Sequence, residues 1–286
     1  MTTIERYAVP RSLEEVTQIL AEGTATMFAG GTDLLPQTRA GLRPLSPLLV
    51  NICRIDALRK LYRHGDTFRI GALTTISEIL ESRLLKEHAK VLVDTANCFA
   101  SGQVRNSATL GGNICNASPA GDMIIPLLLL DAEVGLASQT EGELTRRSIP
   151  LRDFFLGPGK TRILPSEILT HIQFELPEEG FVAGFKKFGT RPALDIAVAS
   201  VGIAGTKDNG VMRKTRVAFG AVAPIPLRGT ETEAALEGEP LEKETIARVA
   251  RIAEEEVSPI SDVRGSAWYR KQLVRTLTER LLRHVS

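Results

Sequence analysis

The sequence predicts an α+β protein of two domains, and three observations carry that prediction. Its 286 residues are 43% hydrophobic and 24% charged, which is material for a sizeable core in one large domain or two. Strand-like and helix-like runs interleave through the first half. From about Gly180 the texture changes, and β-rich runs come first, followed by helices, the order of an α+β module.

The elements follow in chain order. "RSLEEVTQILAEG" opens with a capping box, Ser12 with Glu15, continues with apolar residues at helical spacing and stops at Gly23. "ATMFA" is a short strand ending at "GGTD", and "LLVNI" and "TFRIGALTT" are further strands. "ISEILESRLLKEH" and "AKVLVDTANCFA" read as one helix each, "MIIPLLLLDAEVGLAS" as a buried helix passing into a strand, and "EILTHIQFELP" as a closing strand. After that, "FVAGFKKFG", "DIAVASVGIAGT" and "KTRVAFGAVAP" are β-rich runs divided by turn signals such as "KDNG". "TETEAALEG", "LEKETIARVARIAEEEV" and "SAWYRKQLVRTLTERLLRHV" have apolar residues three and four apart and read as helices. The boundary between the domains is expected at 177/178, with the first domain divided near residue 56 into subdomains 1–56 and 57–177.

Composition narrows the function classes. A net charge of +1 gives no bulk attraction for nucleic acid or an anionic membrane. The longest apolar run, "MIIPLLLL", is far shorter than the roughly 20 residues of a membrane span. No signal peptide is visible, and Cys53, Cys98 and Cys115 are odd in number and widely spaced, which fits reduced thiols in the cytoplasm. An iron–sulfur cluster as a rule needs four ligands, so none is expected on this chain. "GPGKT" fails as a phosphate loop because Phe154 stands where the first glycine belongs. No GxGxxG follows a strand, HExxH and GxSxG are missing, and the four histidines are scattered, so no metal site is expected. The Arg-rich C-terminal helix reads as a solvated face.

Two glycine pairs stand out. Phe28, Ala29, Gly30, Gly31, Thr32, Asp33, Leu34 and Leu35 lead a strand into a glycine turn. "ATLGGNICNASPAGD", residues 108–122, holds Thr109, Gly111, Gly112, Asn113, Ser118 and Asp122 with very little side-chain bulk. Glycine turns can expose backbone N–H groups in a concavity suited to a pyrophosphate, with Thr, Asn and Ser adding hydrogen bonds and Asp accepting from ribose hydroxyls. They can equally be tight turns in which glycine supplies positive φ. The residues by themselves leave both readings open.

"AGGTDLLPQ", "SGQVRNSATLGGNICNASPAGD", "KKFGTRPALDIAVAS", "FGAVAPIPLRGTETEAALEG" and "GSAWYRKQLVRTLTERLL", in this order, resemble the FAD-binding medium subunit of the molybdenum hydroxylases. That family includes xanthine dehydrogenase, aerobic carbon monoxide dehydrogenase and 4-hydroxybenzoyl-CoA reductase, and "NICN", "GPGK" and "ALDIA" look closest to the bacterial xanthine dehydrogenase type. The resemblance implies a PCMH-type (vanillyl-alcohol-oxidase-like) FAD-binding domain followed by a C-terminal α+β domain. It also implies that both glycine loops wrap the FAD pyrophosphate and that Asp122 meets ribityl or ribose hydroxyls. Leu169 or Ile168 would pack near the isoalloxazine, with Lys187, or its rival Lys186, at the ring's polar edge. Gln103 and Arg105 would lie near the face that receives electrons. A large subunit would carry the molybdenum cofactor and a small one the 2Fe-2S clusters, with NAD or a quinone as acceptor. The insertion and cysteines that give 4-hydroxybenzoyl-CoA reductase an extra cluster are missing here. Two other classes remain in view: a flavin-free scaffold subunit, and a self-contained FAD oxidoreductase.

Overall fold

A computed structural model describes residues 4–191 and 194–285, so Pro192 and Ala193 of the "GTRPALD" loop lie outside the described residues. The chain begins with β1 (Arg6–Ala8), α1 (Leu13–Glu22), β2 (Thr26–Phe28), α2 (Leu34–Arg39) and β3 (Leu48–Asn51). The three strands form a parallel sheet in the order β1-β3-β2. Val16 and Leu20 of α1 pack on Val50, Ile52 and Ile55, and this cluster reaches on to Ala137 and Ile168.

Next come β4 (Leu61–His64), β5 (Thr67–Gly71), α3 (Ile76–Glu81), α4 (Arg83–His88), α5 (Lys90–Asn97), α6 (Gly102–Ser107), α7 (Leu110–Asn116) and α8 (Ile124–Leu129). They are followed by β6 (Glu133–Thr140), β7 (Glu143–Pro150), α9 (Leu151–Phe154), β8 (Phe155–Gly157), β9 (Lys160–Thr161) and β10 (Ile168–Glu175). A five-stranded sheet runs β4-β5-β10-β6-β7, with β10 antiparallel to both neighbours. Strand alternation turns Phe68, Ile70, Val134, Leu136, Ile172 and Phe174 toward the helices, where they join the largest core cluster.

The last part holds β11 (Phe181–Phe188), β12 (Ala199–Asp208), β13 (Val211–Gly220), β14 (Leu227–Arg228), α10 (Thr230–Leu236), α11 (Lys243–Glu256) and α12 (Ala267–Val285). Its four-stranded sheet runs β11-β12-β13-β14 and is antiparallel throughout. Alternation sorts the residues by size. Val201, Ile203, Val217 and Phe219 face α11 and α12, while Ala204 and Ala218 join the core of the preceding domain. A Cβ on Gly202 would stand 2.7 Å from Ile125 of α8, so small residues let the two domains share one core. Asp131 adds a polar clamp, 2.5 Å from both Arg216 and Arg228.

The α+β architecture agrees with the sequence expectation, and several details differ. Residues 76–88 form two helices, because Ser82 turns extended (ψ 114) and its hydroxyl caps α4 through Leu85 N–H. Ser12 caps α1, but the Glu15 carboxylate accepts from Arg11 N–H; the reciprocal box belongs to Thr75 and Glu78. Arg270 of the C-terminal helix is buried, donating to the Val198 and Ala221 carbonyls and to Asp262. No helix among the described residues is long and apolar enough to cross a membrane, and no cluster of metal-ligating side chains appears among them.

Candidate functional site

The parallel sheet ends in the loop that follows β2, where Gly31 takes a left-handed φ of +69°. The N–H groups of Gly30, Gly31, Thr32 and Asp33 donate to no other group among the described residues. Free amides beyond the carboxyl end of a parallel strand make an anion-binding nest. Phe28 and Leu35 do not line the adjoining cleft and support the loop from behind. A Cβ on Gly31 would stand 2.7 Å from the Phe28 ring and 3.3 Å from Leu35.

The second glycine pair lies in a helix, which corrects the expectation of a loop. Thr109 is the N-cap of α7, and its hydroxyl accepts from Gly112 N–H at 3.1 Å. The other amides of that turn are used as well: Leu110 N–H donates to Thr74 O, Gly111 N–H to Ala72 O and Asn113 N–H to Thr109 O. In that turn only the Thr109 N–H has no acceptor among the described residues. The glycines serve close packing, since a Cβ on Gly111 would meet Ala72 at 2.7 Å. The two stretches also touch, because a Cβ on Gly30 would lie 1.9 Å from the Ser107 carbonyl oxygen. Bulk is missing because backbone meets backbone.

Between these walls runs a cleft of about 440 Å³. Ala29, Gly30, Gly31, Thr32, Asp33 and Leu34 line one side; Thr109, Gly111, Gly112 and Asn113 line the other; Ile168 and Leu169 close one end. Asn113 Oδ1 is buried there with no hydrogen-bond partner among the described residues. An orphaned acceptor of this kind costs free energy unless a donor arrives. Burial pushes the Asp33 carboxyl up, partly offset by Arg43, a cation of the cleft lining.

Sequence reasoning missed Arg43 and the 163–167 segment of the lining. That segment is held by Glu167, which takes Arg147 Nε at 2.5 Å, Arg147 Nη2 at 2.8 Å and Leu164 N–H at 2.8 Å. Burial works to raise the Glu167 carboxyl, but the hydrogen bond and charge of Arg147 and the Leu164 amide hold it below the usual range. No sequence signal joins Arg147 to Glu167, because the link depends on β7 and β10 flanking β6.

Ser118, Asp122 and Lys187 lie off the cleft lining. Ser118 Oγ accepts from Ala120 N–H, and Asp122 and Lys187 meet each other. Lys187 Nζ reaches Asp122 Oδ2 at 2.6 Å, with side-chain exposures of 13% and 8%, while Asp122 Oδ1 has no partner among the described residues. Burial pushes the Asp122 carboxyl up against the lowering pull of Lys187. Gln103 and Arg105 sit on α6, where Arg105 donates to the Phe99 and Ala100 carbonyls. Lys186 is the strand neighbour of Lys187 and points to the other side of β11.

Residues 2–178 match the family described as "FAD binding domain in molybdopterin dehydrogenase", and residues 183–285 match "CO dehydrogenase flavoprotein C-terminal domain". The chain is 31% identical to a xanthine dehydrogenase FAD-binding subunit of Escherichia coli O157:H7, over 96% of this chain and 94% of that one. It is 33% identical to a glyceraldehyde dehydrogenase medium chain of Sulfolobus acidocaldarius, over 98% of both. Among solved structures, a chain of the carbon monoxide dehydrogenase of Hydrogenophaga pseudoflava superposes with a TM-score of 0.93 at 29% identity, covering 98% of this chain and 96% of that one.

Proposed function

The chain belongs to the FAD-binding subunits of the molybdopterin dehydrogenases, and from that membership we propose that it is the medium, electron-transferring subunit of a molybdenum hydroxylase. One observation carries the assignment of the site: free amides at 30–33 and an orphaned Asn113 oxygen face one cleft, whose volume of about 440 Å³ is in the range of cofactor sites. The donor set fits FAD.

FAD supplies a carrier of two electrons that can take them singly from one partner and hand them to another. The residues of this chain bind and orient it. Gly30, Gly31, Thr32 and Asp33 donate amides to the pyrophosphate, and Arg43 adds positive charge. Asn113 Oδ1 accepts from a ligand hydroxyl or ring N–H. Leu169 and Ile168 would offer apolar surface to the bound cofactor, and the 163–167 segment of the lining would help exclude water from the cleft. Asp122 and Lys187 act as a pair, fixing β11 against the α7–α8 connection from behind the site.

The partners in this reading are a large subunit with the molybdenum cofactor and a small subunit with 2Fe-2S clusters, with NAD or a quinone as acceptor, in the cytoplasm. The free thiols of Cys53, Cys98 and Cys115 fit that reducing compartment. The experiment is to purify the tagged chain from its native host and analyse what comes with it. A stoichiometric complex containing molybdenum, iron and FAD, bleached by the large subunit's substrate and restored by an acceptor, is the expected result. A lone, colourless chain that takes up no FAD would contradict the reading.

A further inference from the structure

The five-stranded sheet carries a second pocket, of about 150 Å³, on the face that α1 partly covers. Lys60, Arg69, Arg146 and His171 line it, together with Tyr62 and Thr170. Strand register brings these groups together. His171 stands opposite Gly71 and Gly135, Gln173 opposite Arg69, and Arg146 is two residues from Ser148, which pairs with Gly135. Neither Lys60 nor Arg146 has a side-chain partner among the described residues, and Arg69 donates only to the neutral Gln173. Two carboxylates share this face and each is taken up elsewhere: Glu133 accepts from the Gln173 amide at 3.0 Å and Glu175 from the Thr67 hydroxyl at 2.9 Å. Cations that share a pocket with no carboxylate in ion-pair contact repel one another unless an anion joins them.

The histidine is seated deliberately. A Cβ on Gly135 would lie 2.2 Å from the His171 ring, so only glycine lets the imidazole lie on the sheet. Thr170 Oγ1 donates to Gly135 O at 3.0 Å, which leaves its oxygen to accept from His171 Nδ1–H at 2.8 Å. Nε2 faces Gln173 Oε1 at 3.3 Å, and that amide is oriented by Arg69 on its oxygen and Glu133 on its nitrogen. Both ring nitrogens therefore face acceptors, an arrangement that suits the imidazolium. Burial, Arg69 and Arg146 act against that form and push the His171 pKa down. An anion in the pocket resolves the conflict by neutralising the arginines and the protonated ring together.

We propose that this pocket binds a small phosphate-class oxyanion between Lys60, Arg69, Arg146 and His171, either inorganic phosphate or the phosphate of a phosphorylated small molecule. The site is separate from the FAD cleft and independent of the flavin reading, although β10 lends Leu169 to one and Thr170 to the other.

The test is calorimetric titration of inorganic phosphate into the full chain saturated with FAD, at constant ionic strength. Saturation keeps phosphate out of the flavin cleft. The expected result is binding at millimolar or lower concentration, accompanied by proton uptake near neutral pH as His171 becomes charged. Arg146→Gln, in an exposed side chain with no partner, weakens binding about tenfold or more. His171→Gln removes the proton uptake. A phosphomonoester such as glycerol 3-phosphate, run in parallel, separates the sources: tighter binding than phosphate points to a phosphorylated small molecule, and equal binding to the free ion. No binding of either anion overturns the proposal, and so does binding that Arg146→Gln and Arg69→Gln leave unchanged.

Discussion

Gly30 is the residue on which the cleft turns. Its missing Cβ leaves the room that the Ser107 carbonyl occupies, and a backbone oxygen cannot swing aside as a side chain could. Gly30→Ala is expected to cost about 1–3 kcal/mol of stability and to lower the FAD content of the purified chain. Gly23→Ala, where nothing stands within 4 Å, leaves both unchanged. Thermal unfolding and the flavin-to-protein absorbance ratio check both statements. Lys187→Met leaves Asp122 buried and unpaired, and destabilises by about 3 kcal/mol near neutral pH. The sign of the pH effect is set by Asp122. Its carboxyl is raised on folding, so the penalty exists where the group is charged and shrinks as pH falls through its folded value. Urea denaturation of the variant at pH 7 and in mild acid reads that difference.

The connection before β10 depends on a single carboxylate. Glu167 has its pKa lowered on folding, so its stabilisation is present above the ordinary carboxylate range and is lost as pH falls through the depressed value. Glu167→Gln keeps the shape, removes the charge and costs about 1 kcal/mol, since half-exposed Arg147 is screened by water. Amide exchange at Leu164 is expected to quicken in the variant at neutral pH, and in the wild type only in acid. At this scale the sequence was readable where local physics decides. The helical periods of α1, α11 and α12 and the "KDNG" hairpin, with Asn209 and Gly210 both at positive φ, could be read directly. It was unreadable where long-range packing decides. Nothing local says that "TLGGN" is a helical turn, because two glycines argue against a helix and Thr109, Thr74 and Ala72 hold it in place. The edge strands β1, β4 and β7 carry too little apolar alternation to be seen.

The whole molecule is joined by one shared layer: the four-stranded sheet packs its small residues on α8 and its large ones on α11 and α12. The α+β class was legible, and so were the two glycine stretches, because small residues in a run have few uses other than close approach. The pairing of Asp122 with Lys187 was not, since 65 residues separate them in the chain. A shared core predicts one cooperative unfolding transition for the isolated chain. Asp131→Ala, which takes the carboxylate from Arg216 and leaves Arg228 with Glu233 alone, lowers its midpoint without splitting it, as calorimetry would show. The central claim is that the cleft between residues 30–33 and Asn113 holds FAD. Its most direct measurement is titration of the flavin-stripped chain with FAD, followed by flavin absorbance. The account predicts saturation at one FAD per chain, with weaker binding in Gly30→Ala. Saturation by Gly30→Ala at the same concentrations as wild type, or no uptake by either, would contradict it.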